Sequence, residues 1–183
     1  MIGFVLAACD GEKVELPTEP TVPNDDTVPE VLSSEPCDAC DGDCVLEELA
    51  YPTQAYHTSE PVLYADRPPA GGPHDPCWAT WGAHREPLPD ERWVHNLEHG
   101  GVIYVYQDPV PSAVTALEAL ADEKGIFVLV APYADMDSPY AAISWGFRML
   151  TGCVDDEAFR AFYDEHVDQA PESAPQDPGS ACE

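Results

Sequence analysis

The clearest pattern of hydrophobic and polar positions lies in the second half of the chain. Residues 102–106 form a continuous run of β-branched and aromatic side chains, which is typical of a strand buried on both faces. Residues 111–124 place apolar side chains at helical spacing, with Pro111 at the start and Gly125 just past the end. The pattern therefore predicts a strand followed by a helix.

Three further elements complete this half. Residues 126–131 and 141–149 predict two more strands, and residues 155–167 predict a helix. Asp155 or Asp156 can cap that helix. This order predicts an α+β fold in which helices pack on a small mixed sheet. Its first strand–helix–strand unit predicts a parallel, right-handed crossover.

The half of the domain before about residue 100 is mostly irregular. Prolines and glycines interrupt it repeatedly between Pro68 and Pro76. Trp78, Trp81 and Trp93 nevertheless indicate that the segment is packed. We therefore expect a long, ordered but irregular N-terminal half.

The composition divides the chain into four parts. Residues 10–44 are rich in Pro, Glu, Asp and Thr and contain a cysteine cluster, which predicts an acidic flexible tether. Residues 170–183 have a similar composition and predict an acidic flexible tail. Between them, residues 45–169 predict a single domain.

Residues 1–9 predict the compartment. They form a short apolar run that ends in Leu6-Ala7-Ala8-Cys9, which resembles the lipobox of bacterial lipoproteins. In such proteins the cysteine is lipidated and becomes the mature N-terminus. We therefore expect a signal remnant over residues 1–9, lipidation of Cys9, and a place in the bacterial cell envelope, facing the periplasm or the exterior.

The net charge limits the partners. Seven Lys and Arg stand against 35 Asp and Glu, a formal charge of −28. Nucleic acid and anionic membrane surfaces repel such a chain, so contact with a membrane is expected through the lipid alone. Metal cations are attracted to it. The sequence indicates no particular protein partner.

The cysteine count agrees with export. Besides Cys9, six cysteines remain, and an even number predicts disulfides in an oxidising compartment. The candidates are Cys37, Cys40, Cys44, Cys77, Cys153 and Cys182. Cys77 and Cys153 would join the irregular loop to the sheet if they paired, but the spacing leaves the connectivity open.

The densest functional chemistry lies in the stretch Trp93-Val94-His95-Asn96-Leu97-Glu98-His99-Gly100-Gly101. A short helix over residues 91–99, capped by Asp90 and ended by Gly100, would place the imidazoles of His95 and His99 on one face, about 6 Å apart. Two neutral imidazoles at this spacing can bind one zinc or copper ion.

Other residues are candidates to complete such a site. His74 follows the Gly71-Gly72 pair and is the strongest upstream candidate, and His57 and Glu98 are weaker ones. Met136 adds a soft sulfur ligand that copper accepts, so copper is slightly favoured over zinc. His166 is expected to pack within its helix.

The pattern His-x-x-Glu-His also occurs in inverted zinc peptidases, where the glutamate is the general base. Gly100-Gly101 ends the helix directly after the second histidine, which argues against that class. If the protein is an enzyme, Glu98 is its candidate catalytic residue.

These motifs together resemble a bacterial family, the domain of unknown function 3105. The resemblance rests on Gly72-Pro73-His74, on Trp78-x-x-Trp81-Gly82 and above all on the His95–Gly101 string. It covers about residues 50–165 and departs from the family pattern just before Gly-Pro-His, where the family usually has a serine and this chain has Gly71-Gly72, and near His84, where the family has an aromatic residue. It implies an exported or membrane-tethered domain and supplies no established reaction.

Three functional hypotheses follow. The first is a lipid-tethered domain that binds copper or zinc through His74, His95 and His99 for metal delivery or sequestration. The second is a metal-dependent hydrolase or oxidase with Glu98 as base. The third is a structural or interaction module in which the histidines and tryptophans fasten the long loop to the sheet without a metal.

Overall fold

The computed structural model describes residues 28–51 and 56–173. Within them, seven strands form one mixed sheet in the order β1-β2-β7-β6-β4-β5-β3. The strands are β1 (Glu30–Pro36), β2 (Cys44–Ala50), β3 (Gly82–Ala83), β4 (Val102–Tyr106), β5 (Val128–Pro132), β6 (Tyr140–Ser144) and β7 (Phe147–Thr151). The helices are α1 (Asp90–Glu98), α2 (Pro111–Lys124) and α3 (Asp156–His166). The predicted α+β fold with a small mixed sheet is confirmed.

Strand β4 lies inside the sheet between β6 and β5 and is buried on both faces, as its sequence predicts. Val102, Tyr104 and Tyr106 face one core, which α2 and α3 cover. Ile103 and Val105 face a second core, which contains Trp93 and Leu97 of α1 and part of the irregular segment. Helix α1 and part of the irregular N-terminal half therefore pack on this second face of the sheet.

The crossover β4–α2–β5 is parallel, as predicted. Strand β5 begins two residues later than expected, because Phe127 takes a positive φ of 65° in the turn after α2. The region predicted as one strand over residues 141–149 is the antiparallel hairpin β6–β7. Gly146, with φ of 78°, makes the turn between them.

Helix boundaries agree closely with the sequence pattern. The side chain of Asp155 accepts a hydrogen bond from the backbone N–H of Ala158, as an N-cap does. Helix α1 starts one residue earlier than expected, so Asp90 is its first residue and Pro89 its N-cap. None of the helices within the described residues has the length and apolarity needed to cross a bilayer.

The prediction of a flexible tether over residues 10–44 is wrong for its described end. Glu30–Pro36 and Cys44–Ala50 form an antiparallel hairpin, and β2 pairs with β7 at the sheet edge. The acidic, proline-rich composition does not predict this hairpin, because its edge strand buries little apolar surface and carries mostly exposed side chains. Residues 10–27, like Cys9, lie outside the described residues.

Two disulfides reinforce this hairpin, and one of them joins it to the rest of the sheet. Cys37 bonds to Cys44 across the hairpin turn, and Cys40 bonds to Cys153 just beyond β7. Cys153 therefore does not pair with Cys77, which is also disulfide-bonded. Cys182 lies outside the described residues.

We expect the Cys40–Cys153 bond to contribute more to stability than the Cys37–Cys44 bond. The two bonds close loops with sequence separations of 113 and 7 residues. In the chain-entropy model these loops correspond to about 5 and about 2 kcal/mol. Urea unfolding of the double variants Cys40→Ala/Cys153→Ala and Cys37→Ala/Cys44→Ala measures the difference. Equal losses of free energy in the two variants would contradict the expectation.

Candidate metal centre

The end of α1 orients two of the candidate histidines. The backbone N–H of Gly101 donates to the carbonyl of Asn96, and that of Gly100 donates to the carbonyl of Leu97, which is the hydrogen-bond pattern of a Schellman motif. Gly100 supplies the required positive φ, at 88°. Gly101 lies so close to the indole of Trp81 that any side chain would collide with it. The glycine pair therefore ends the helix directly after His99.

Asn96 fastens the irregular loop to this helix. Its side-chain amide donates to the carbonyl of Ala79 and accepts from the N–H of Ala79, both at 2.9 Å. This pair of hydrogen bonds positions the neighbouring Trp78. Its ring meets those of His95 and His99 edge-on, at centroid distances of 5.1 and 4.8 Å. Asn96 was not identified from the sequence, although an amide among apolar neighbours in a buried helix was a usable signal.

A short parallel bridge brings the two upstream histidines together. His57 and His74 pair in the manner of adjacent strands. The N–H of Thr58 donates to the carbonyl of His74, and the N–H of His74 donates to the carbonyl of Tyr56. Their rings meet edge-on at 5.0 Å. The backbone therefore holds both rings against the same face of α1.

Four side chains converge at this point. Nε2 of His74 lies 2.9 Å from Oε2 of Glu98, and Nε2 of His57 lies 3.5 Å from the same oxygen. With His95, they offer ligand atoms that all lie within 4.8 Å of one another. Three of them are almost fully buried, with exposed fractions of 0% for His74, 2% for His95 and 5% for Glu98. The side chain of His57 is 48% exposed and forms the solvent-facing side.

Backbone carbonyls determine which nitrogen of each ring faces the cluster. Nδ1 of His74 lies 2.9 Å from the carbonyl oxygen of Gly72, Nδ1 of His95 lies 2.8 Å from that of Asp75, and Nδ1 of His99 lies 3.0 Å from that of Glu172. A carbonyl oxygen only accepts hydrogen bonds, so each Nδ1 carries a proton. In the neutral rings the Nε2 lone pairs therefore point into the cluster, as in histidines that bind metals.

When the histidine rings are neutral, no proton lies between these inward-facing atoms. Nε2 of His95 and Nε2 of His99 face each other at 2.9 Å. Neither atom carries a proton when its ring is neutral, so the two lone pairs repel each other. Nε2 of His74 likewise faces a carboxylate oxygen, which is also an acceptor. Cations between these atoms, whether protons or metal ions, would satisfy them.

Electrostatics favour the charge states that bind metals. Burial lowers the pKa of His95 to about 4, and repulsion from His74, His99 and His57 adds to that shift. His95 is therefore neutral near pH 7. Burial alone would raise the pKa of Glu98, but the hydrogen bond that His74 donates when its Nε2 is protonated, together with the surrounding histidines, outweighs burial and lowers the pKa. Glu98 is therefore a carboxylate.

The donor set fits a divalent transition ion. Imidazole nitrogens and a carboxylate oxygen are ligands that zinc and copper(II) accept. Two ligands at about 2.1 Å from one ion lie at most about 4.2 Å apart. Atoms already within 4.8 Å of one another need to move little to reach this geometry, and the exposed side chain of His57 has room to move.

The structure gathers most of the predicted site residues. His57, His74, His95 and Glu98 form one group, and His99 lies beside it in a second group with Glu98 and Glu172. Glu172 was missed because its segment was predicted to be part of a flexible tail. Its N–H donates to the carbonyl of Glu98, which folds residues 170–173 back onto the end of α1.

Met136 is not brought to the cluster by any described contact. It is buried in the second core, and its backbone N–H donates to the side chain of Gln107. Gln107 follows the last residue of β4, whereas Gly101 and the cluster lie before its first residue. His166, as predicted, packs in its helix between the rings of Phe147 and Phe162. His84 bonds the carbonyl of Thr80, away from the cluster.

Fold and site together define a disulfide-containing α+β protein with a buried histidine–glutamate cluster. The chain belongs to the DUF3105 family, described as a protein of unknown function, whose profile matches residues 56–182. The family resemblance seen in the sequence is thereby confirmed. Neither the curated proteins nor the solved structures contain a match.

We expect Asn96→Ala to destabilise the protein by about 2–4 kcal/mol, because it leaves the buried N–H and carbonyl of Ala79 without partners. Gln107→Ala is the matched control. Its exposed amide makes the same double contact with the backbone of Met136, at the other end of the sheet. Denaturant unfolding of the metal-free variants measures both changes. A loss in Asn96→Ala no larger than in Gln107→Ala would contradict the role of Asn96.

Proposed function

We propose that the protein binds a divalent transition-metal ion, zinc or copper, through His57, His74, His95 and Glu98. One observation carries this proposal: the buried histidines donate their Nδ1 protons to backbone carbonyls. This donation leaves the Nε2 lone pairs of His74 and His95 directed at one carboxylate-lined point. Without a cation, this arrangement places acceptors against acceptors in a buried site, which is costly.

The choice between zinc and copper is more even than the sequence indicated. The preference for copper rested partly on the sulfur of Met136, and no described contact places that residue at the cluster. The remaining nitrogen and oxygen donors suit both zinc and copper(II). The proposed ion is therefore defined by its class and charge.

The role we propose is metal delivery or sequestration. A general base must be free to accept a proton from a metal-bound water. Glu98 instead is held by His74 and lies near His57, among the candidate ligands. This position supports Glu98 as a ligand, in preference to the base of a hydrolase or oxidase.

We also propose that the domain is exported and held at the bacterial cell envelope by a lipid on Cys9. The disulfides Cys37–Cys44 and Cys40–Cys153 support this proposal, because such bonds persist in oxidising compartments. The lipobox-like sequence before Cys9 supplies the site of modification. In this proposal the lipid is the only contact with the membrane.

We expect the untagged, metal-free protein to take up zinc or copper, and His74→Ala to lower its affinity by at least 100-fold. The variant removes a fully buried ligand and leaves Glu98 without its nearest partner. His84→Ala is the matched control, since this histidine lies outside the cluster. Elemental mass spectrometry after dialysis, combined with calorimetric titration, gives content and affinity.

Uptake of neither metal by the wild-type protein would overturn the metal proposal and favour the structural module. Circular dichroism of His74→Ala shows whether the variant is folded. If it is not, His95→Gln replaces it. Equal affinity in the folded variant and in His84→Ala would likewise overturn the proposal.

We expect Cys9→Ser to move the protein from the membrane fraction to the soluble fraction of expressing bacteria. The serine hydroxyl cannot take the thioether-linked lipid of bacterial lipoproteins. Labelling with a palmitate analogue should mark the wild-type chain and not the variant. Labelling of neither chain would contradict lipidation without bearing on metal binding.

A further inference from the structure

The cluster has a second group of ligands on its far side. Glu98, His99 and Glu172 offer ligand atoms that all lie within 4.8 Å of one another. We infer that this group binds a second divalent cation beside the first, with the carboxylate of Glu98 shared between the two ions. The inference rests on the proposed metal function and extends it to a two-ion centre.

The donor atoms divide naturally between two positions. His57, His74 and His95 form a group with Glu98, and His99 forms its own group with Glu98 and Glu172. Glu98 is the residue common to both groups and has two carboxylate oxygens. Carboxylates commonly bridge paired metal ions, which in two-ion sites lie about 3.5–4 Å apart.

The contact between His95 and His99 agrees with two ions. Their Nε2 atoms lie 2.9 Å apart, and their Nδ1 protons are both donated to carbonyls. The lone pairs of two neutral rings repel each other at this distance. One cation on each ring would offset that repulsion, and the two groups place His95 and His99 on different ions.

The backbone fixes Glu172 in place although its side chain is exposed. Its N–H donates to the carbonyl of Glu98, and its carbonyl accepts from His99. The N–H of Asp168 donates to the carbonyl of Gly100, and the hydroxyl of Ser173 donates to the carbonyl of Asp168. Residues 168–173 therefore form a closed turn that holds the Glu172 carboxylate beside His99.

The charge of the site also permits two cations. Glu98 and Glu172 supply two negative charges, while the four histidines contribute none when neutral. The chain as a whole carries a formal charge of −28, which lowers the cost of a second dication. The second position is more exposed than the first, so it should bind its ion more weakly.

Titration of the metal-free protein with zinc tests this inference. We expect two ions per chain in the wild-type protein, with the weaker one lost in Glu172→Gln and the tighter one retained. Glu157→Gln is the matched control, because it removes the same charge from an exposed position on α3. With copper(II), the wild-type protein should also show the spin coupling of two ions a few ångströms apart, and Glu172→Gln should show the spectrum of a single ion.

The outcomes separate this inference from the proposed function. One ion in both the wild-type protein and Glu172→Gln would overturn the second position and leave the first in place. Two ions in Glu172→Gln would overturn the assignment of Glu172. No ion in the wild-type protein would overturn both proposals. Thermal unfolding of the metal-free Glu172→Gln variant shows whether the turn over residues 168–173 is intact, and His99→Gln provides a second variant of the same position.

Discussion

The burial of the Glu98 carboxylate is the constraint on which much of this structure depends. A carboxylate with little access to water is costly unless hydrogen bonds and positive charge compensate it. Here a proton on Nε2 of His74, or a metal ion in its place, would supply that compensation, and His74 is itself held by the carbonyl of Gly72 and by the short bridge to His57. The irregular segment before α1 therefore stabilises this buried carboxylate. It brings imidazoles to a charge that the helix alone would leave unpaired.

The same constraint explains why α1 buries so many polar groups. His95, Asn96 and Glu98 are consecutive or nearly so, and each finds its partner in the loop that covers the helix. Trp93 and Leu97, on the other side of the helix, pack into the second core. The helix is thus amphipathic in an unusual sense. One face meets an apolar core, and the polar side chains of the other face are also buried.

How far the sequence predicts this molecule depends on how local each signal is. Strand β4 and helices α2 and α3 follow from apolar spacing and end signals, which neighbouring residues supply. The β1–β2 hairpin does not, because its edge strand is acidic and depends on disulfides and on β7, far along the chain. At the cluster, His95 and His99 follow from helical spacing, and the Gly-Pro-His string indicates His74. The roles of Asn96 and Glu172 require knowledge of which backbone groups come close in space, and composition cannot supply it.

The two disulfides at the hairpin also have a mechanical consequence. Tension on the chain ahead of β1 would peel this edge strand from β2 one backbone contact at a time, which requires little force. The peeling would stop at Cys37, because its disulfide with Cys44 joins it to the first residue of β2. The next disulfide, Cys40–Cys153, joins the turn to the second residue after β7. The load would then pass into the sheet as a whole.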